Sequence, residues 1–132
     1  MIDSEPSPSE VILVVDDEAD IRELLKYALR QAGFTVLVSR HGQEALSLIQ
    51  SRLGKVDLVL SDVMMPELDG PTLARRLAQD WPGIPILFMT GYPAEMLASA
   101  DLLPAGIPRI EKPFSMASLL RQVRSALEGS SS

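Results

Sequence analysis

The chain has 132 residues, of which 46% are hydrophobic, 23% charged and 5% aromatic, with a formal net charge of -6. That length supplies one domain, burying roughly two-thirds of its unfolded surface around a real core. With no cysteine and a single histidine, His41, disulfides, thiolate metal centres and multi-histidine metal sites are excluded, and the acidic balance argues against binding nucleic acid by charge.

The first residues, "MIDSEPSPSE", are acidic and rich in Pro and Ser. They read as a flexible linker over 1–9, the opposite of a secretory signal. Nowhere does an apolar run approach the ~20 residues that cross a bilayer, so no membrane contact by this domain is expected. "VILVV" (11–15) reads as the first strand. "DEADIRELLKYALRQAGF" follows, with Ile21, Leu24, Leu25, Ala28, Leu29 and Ala32 on one helical stripe and Gly33 as its stop. "FTVLV" (34–38) is the second strand, and "GQEALSLIQSRL" (42–53) a helix with Ala45, Leu46, Ile49 and Leu53 inward. His41, just before it, reads as exposed and structural.

"VDLVLS" (56–61) is the third strand. "GPTLARRLAQDW" (70–81) turns Leu73, Leu77 and Trp81 to one side, with Pro71 suited to a first turn. Trp81 reads as a helix-end packing residue. "IPILFM" (84–89) is the fourth strand, "PAEMLASADLL" (93–103) a helix with only a partial stripe, and "GIPRI" (106–110) a weaker fifth strand. "SMASLLRQVRSALEG" (115–129) closes the chain, capped by Ser115, before a short tail over 129–132 that reads as disordered. The predicted domain is therefore 10–128.

Four of the strands are apolar without alternation, as strands buried on both faces are. Strand and helix alternate five times, which implies a parallel sheet wrapped by helices on both faces. Ligands of such sheets bind outside the carboxyl ends of the strands. At those ends stand Asp16, Asp17 and Glu18, then Asp62, then Thr90, then Lys112 followed by Pro113. If the first and third strands are neighbours, their acids share one pocket. Two carboxylates about 5 Å apart repel by roughly 3 kcal/mol at an effective dielectric of 20, and three by on the order of 10 kcal/mol. A divalent cation and Lys112 would relieve this. All the ligands on offer are oxygens, so the ion is a hard one, Mg²⁺ or Mn²⁺.

Together "ILVVDDE", "LVLSDVMMPELDG", "PILFMTGY" and "EKPF" resemble the receiver domain of two-component response regulators over about residues 10–128. The resemblance implies a flavodoxin-like (βα)5 doubly wound α/β sheet in strand order 2-1-3-4-5. It implies that Asp62 is a phosphoacceptor, taking a phosphoryl group from the phosphohistidine of a histidine kinase or phosphotransfer domain. Asp16, Asp17, Asp62 and the backbone carbonyl of Met64 would hold the Mg²⁺. Thr90 and Lys112 would each contact a phosphoryl oxygen, and the Lys112–Pro113 peptide would be cis. The output surface would be the face of the 93–103 helix, the fifth strand and the last helix, a face through which the family often dimerises. Tyr92 would tune water access. Arg109 departs from the pattern, standing where many receivers carry Tyr or Phe. The motif style resembles receivers of hybrid histidine kinases, and the implied setting is the bacterial cytoplasm.

Each residue also has a plainer reading. The acids at 16–18 suit a helix N-terminus. Thr90 suits a strand end, Glu111 the surface, and Met64 and Met65 gap-filling. Three rival functions share parts of the pattern. A flavodoxin-like electron carrier would need a Ser/Thr/Gly-rich phosphate loop where this chain has "DDEAD". A haloacid dehalogenase-type phosphatase would carry its nucleophile on the first strand. A non-phosphorylated interaction module would have no use for the intact Asp62, Thr90 and Lys112 set.

Overall fold

The computed structural model describes residues 10–63, 70–91, 109–112 and 114–130. In chain order they form β1 (Val11–Val15), α1 (Ala19–Gln31), β2 (Thr35–Ser39), α2 (Gly42–Ser51), β3 (Leu58–Asp62), α3 (Gly70–Asp80), β4 (Ile86–Thr90), β5 (Arg109–Glu111) and α4 (Met116–Ser130). The predicted 93–103 helix lies outside the described residues, as does the first part of the predicted fifth strand. So do the linker at 1–9 and residues 131–132.

All four strand pairings are parallel, in the order β2-β1-β3-β4-β5. This is the order the resemblance implies, in a flavodoxin-like fold. The unbroken apolar strands are explained by two separate cores. Along β1, Ile12 and Val14 pack on one face with Leu25 and Leu29 of α1 and with Leu119 and Val123 of α4. Leu13 and Val15 pack on the other face with Ala45 and Ile49 of α2 and with Leu73 and Leu77 of α3. Burying each large aliphatic side chain contributes ~1.5–3 kcal/mol, so both sheet faces are firmly covered. The register then aligns the carboxyl ends. Val15 lies opposite Ser39 on one side and Ser61 on the other, Asp62 opposite Met89, and Thr90 opposite Glu111.

Ser115 caps α4 as predicted, its hydroxyl accepting from the Ser118 N–H at 3.0 Å. His41 departs from the expectation of an exposed residue: it is half-buried and caps α2, its Nδ1 accepting from the Glu44 N–H at 3.3 Å. Arg40 and Glu44 close the same end, the Arg40 N–H donating to the Glu44 Oε1 at 2.7 Å and the two side chains forming an ion pair of 3.3 Å. Leu24 also departs, being 50% exposed. The buried line of α1 is Leu25 and Leu29, and Leu24 stands one helical step to its side.

Leu53 is the largest departure. The helix predicted to 53 ends at Ser51. Gly54 N–H reaches the Ile49 carbonyl at 2.9 Å and Leu53 N–H the Gln50 carbonyl at 3.0 Å, the paired bonds of a Schellman end. That motif needs one left-handed residue, here Leu53 with φ 57°. The turn swings its side chain outward, 77% exposed. α1 ends in the same way with a glycine in that role, Gly33 at φ 101°. After the second helix the glycine stands one place later, at Gly54, itself left-handed at φ 78° and tightly packed. A Cβ on Gly54 would sit 2.6 Å from the Trp81 ring. Trp81 is half-buried there, the helix-end packing role read from sequence.

Replacing Leu53 by Gly should therefore stabilise the domain by about 0.5–1 kcal/mol, since left-handed strain is removed and little burial is lost. Gly54→Ala should destabilise it by about 2 kcal/mol or more, through both its φ and the Trp81 clash. Urea midpoints of the two variants check the opposite signs.

Candidate functional site

β1 delivers Asp16 to the carboxyl edge of the sheet, wholly buried. Isolated burial of a carboxylate costs several kcal/mol, and each polar group of Asp16 is met by a partner. Its N–H donates to the Ser39 carbonyl at 3.2 Å. Its carbonyl accepts from Arg22 Nη1 at 2.8 Å. Oδ1 accepts from the Glu18 N–H at 2.9 Å, and Oδ2 lies 3.4 Å from Lys112 Nζ. Asp17, next along, is exposed. Glu18 occupies the N-cap position of α1 without a side-chain capping bond.

Asp62 ends β3, next to β1 in the sheet, and its Oδ2 lies 3.5 Å from the same Lys112 Nζ. Its backbone is fixed from two sides. Ser61, fully buried, donates its hydroxyl to the Asp62 carbonyl at 2.8 Å. Gly70, at the start of α3, comes so close that a Cβ there would lie 2.7 Å from that carbonyl oxygen and 2.6 Å from the Phe88 ring. Thr90 ends β4, 1% exposed, and its carbonyl accepts the Lys112 N–H at 2.7 Å. That backbone bond sets Lys112 at the edge of the pocket, from which its side chain crosses toward Asp16 and Asp62.

One carboxylate oxygen from each of Asp16, Asp17 and Asp62 lies within 4.8 Å of the others. Burial pulls the Lys112 pKa down, but the attraction of Asp62 and of Asp16, with hydrogen bonds to both, outweighs it and leaves the ammonium above the ordinary lysine value. The donor set is all oxygen and clustered, which fits a hard divalent cation such as Mg²⁺. Both Asp16 oxygens already face a donor, so Asp17 offers the most solvent-accessible ligand atom.

The structure thus brings Asp16, Asp17, Asp62 and Lys112 together and places Thr90 beside them through the backbone. Arg109 opens β5, half-buried and opposite Phe88, while Glu111 is exposed as read. Met64, Tyr92 and Pro113 lie outside the described residues. Three supporting residues escaped the sequence reading: Arg22, Ser61 and Gly70. Each acts on main chain, and main-chain contacts leave no periodicity or charge pattern to read.

A family model described as "Response regulator receiver domain" matches residues 12–124. Over 122 residues the chain is 39% identical to the sensor kinase CckA of Brucella abortus, covering 92% of this chain and 13% of that kinase. It spans about half the length of several response regulators it also matches, 49% and 51%. A signal receiver domain of an HD domain-containing protein from Pseudomonas fluorescens Pf-5 superposes with a TM-score of 0.81 at 33% identity, over 93% of this chain and 98% of that one. The response regulator TrrA from Thermotoga maritima, solved in complex with Mg²⁺-BeF, superposes with a TM-score of 0.77 at 32% identity, over 89% and 98%.

Lys112→Met should destabilise the domain, because Asp16 and Asp62 lose the ammonium that faces both. The pH dependence has a definite sign. A lysine whose folded pKa is raised contributes its full stability below the ordinary value near 10.4, and loses it as pH rises through the folded value. The gap in urea midpoint between wild type and Lys112→Met should therefore be widest at neutral pH and close on the alkaline side. Gly70→Ala should cost about 1–3 kcal/mol by overpacking against Asp62 and Phe88, read in the same denaturation series.

Proposed function

The chain belongs to the response regulator receiver family, and from that premise we propose that it is a phosphoacceptor switch in which Asp62 takes a phosphoryl group in a Mg²⁺-dependent reaction. The observation that carries the reading is Lys112, whose ammonium lies within 3.5 Å of both Asp16 and Asp62 beside a third clustered carboxylate. Structural acids gain nothing from such crowding, whereas phosphoryl transfer needs this balance of charge.

An oxygen of Asp62 attacks the phosphorus of a phosphohistidine. The new P–O bond forms as the P–N bond breaks, and its electron pair returns to the imidazole nitrogen. Asp62 is suited to this because Ser61 and Gly70 fix its main chain. Lys112 and Thr90 then each donate to a phosphoryl oxygen, charge-assisted bonds worth ~1.5–3 kcal/mol in the case of Lys112. Asp16, Asp17, Asp62 and the Met64 carbonyl would hold a Mg²⁺, which when bound neutralises acid and phosphoryl oxygens together. The Mg²⁺-BeF complex of the Thermotoga relative supports that assignment. Water attacking the phosphorus reverses the modification and releases phosphate.

The donor partner is a histidine kinase or phosphotransfer protein, in keeping with the CckA relationship. The output is a shift between two conformations of the face made by β5, α4 and the segment 93–103. Its extent is limited by how differently the phosphoryl group stabilises the two states, ~5.5 kcal/mol for a near-complete reversal. Dimerisation through that face and a cytoplasmic setting belong to the same reading. Among the described residues no helix is long and apolar enough to cross a membrane.

Incubation with acetyl phosphate and Mg²⁺ should add one phosphoryl group by intact mass, removable by hydroxylamine as an acyl phosphate is. Chelation of Mg²⁺ should prevent it, and Asp62→Asn should show no hydroxylamine-sensitive adduct. Sustained hydrolysis of p-nitrophenyl phosphate would instead favour a phosphatase, and failure to label under any condition a non-phosphorylated interaction module.

A further inference from the structure

We propose that Arg22 is a positioning residue for ion binding: its guanidinium braces the Asp16–Asp17–Glu18 turn in the shape that presents the carboxylates, an inference that rests on the receiver reading above. Arg22 stands in the first turn of α1, its own N–H bonded to the Glu18 carbonyl at 3.1 Å. Its side chain folds back over the turn that precedes it, and Nη1 donates to the Asp16 carbonyl at 2.8 Å. That carbonyl belongs to a wholly buried residue, and a buried acceptor left without its donor is costly.

The target atom matters. A cation aimed at the carboxylates would compete with a metal for their oxygens. Arg22 grips the main chain instead and adds no competitor at those oxygens. With the Asp16 carbonyl held by Arg22 and its Oδ1 held by the Glu18 N–H, the peptide units on both sides of Asp17 are anchored. The direction of the exposed Asp17 carboxylate is then set by a fixed backbone. Outer-shell groups that orient metal ligands are worth roughly ten- to a hundredfold in metal affinity.

Electrostatics gives the test a sign. If Arg22 were only a neighbouring positive charge, removing it would tighten cation binding, because one source of repulsion disappears. If it positions the turn, removing it must weaken binding despite that gain. Arg22→Met keeps the apolar stem without a donor, and Arg22→Lys keeps a donor and the charge.

Mn²⁺ binding to the full chain, followed by loss of the free-ion EPR signal with Mg²⁺ as competitor, should weaken about tenfold in Arg22→Met and recover largely in Arg22→Lys. In metal-free protein the Glu18 amide should exchange faster in Arg22→Met, a readout independent of any ion. Unchanged affinity with a lowered melting temperature would reduce Arg22 to a helix contact, and tighter binding would make it a bystander charge; either overturns the inference. Wild type that binds neither ion and accepts no phosphoryl group would sink the receiver reading along with it. Wild type that does both, beside an unaffected Arg22→Met, would sink this inference alone.

Discussion

Three carboxylates within 4.8 Å of one another, faced by one lysine ammonium, form the constraint to which the carboxyl end of the sheet is fitted. Each close pair of like charges costs about 3 kcal/mol at an effective dielectric of 20. The fold holds them together because β1 and β3 are neighbours in the order 2-1-3-4-5. Relief comes from the β5 end of the same carboxyl edge. Lys112 follows β5, is tied to β4 through the Thr90 carbonyl, and reaches across to both acids. The arrangement is costly in stability and valuable for chemistry, as sites built to receive charge commonly are.

What allows such a cluster is the stiffness beneath it. Each strand buries one face against α1 and α4 or the other against α2 and α3, so the strand ends have little freedom to separate. Contacts to main chain refine the placement. The Ser39 carbonyl takes the Asp16 N–H, Arg22 takes the Asp16 carbonyl, and Ser61 takes the Asp62 carbonyl. The Ser39 hydroxyl, by contrast, is buried with no hydrogen-bond partner, alone in this among the described residues. Such an atom costs ~1–3 kcal/mol, and it belongs to the residue whose main-chain carbonyl accepts the Asp16 N–H. Away from the pocket the imperfections are of another kind: Leu53 is left-handed in the turn that ends α2, beside a Gly54 at which Trp81 leaves no room for a Cβ.

Most of the architecture was legible in the residues. Unalternating Val/Ile/Leu runs mark strands covered on both sides, and the stripes through Leu25 and Leu29 or Leu73 and Leu77 mark the helices that cover them. The residues that meet at the strand ends were legible for the same reason, since a parallel sheet sends every strand end to one edge. Leu24 and Leu53 were misread because a stripe counted by spacing ignores which way the helix is rolled and where it stops. His41 was read correctly as structural but wrongly as exposed, because nothing local tells whether a ring is turned back onto its own helix. Arg22, Ser61 and Gly70 were not found because their partners are carbonyl oxygens, common to every residue.

The sequence alone determined the kind of each described element and the set of acids, hydroxyl and ammonium at the strand ends, because these follow from local periodicity and residue chemistry. Tertiary structure alone decided that Lys112 bridges Asp16 and Asp62, that Arg22 and Ser61 grip main chain at the pocket, and that Leu53 faces water. The Arg22, Ser61 and Leu53 outcomes are short-range contacts whose rotamer and turn the packing selects, while the Lys112 bridge depends on distances between segments as many as 96 residues apart in the chain. Such distances are set by how the two cores pack, and no short stretch of sequence contains them.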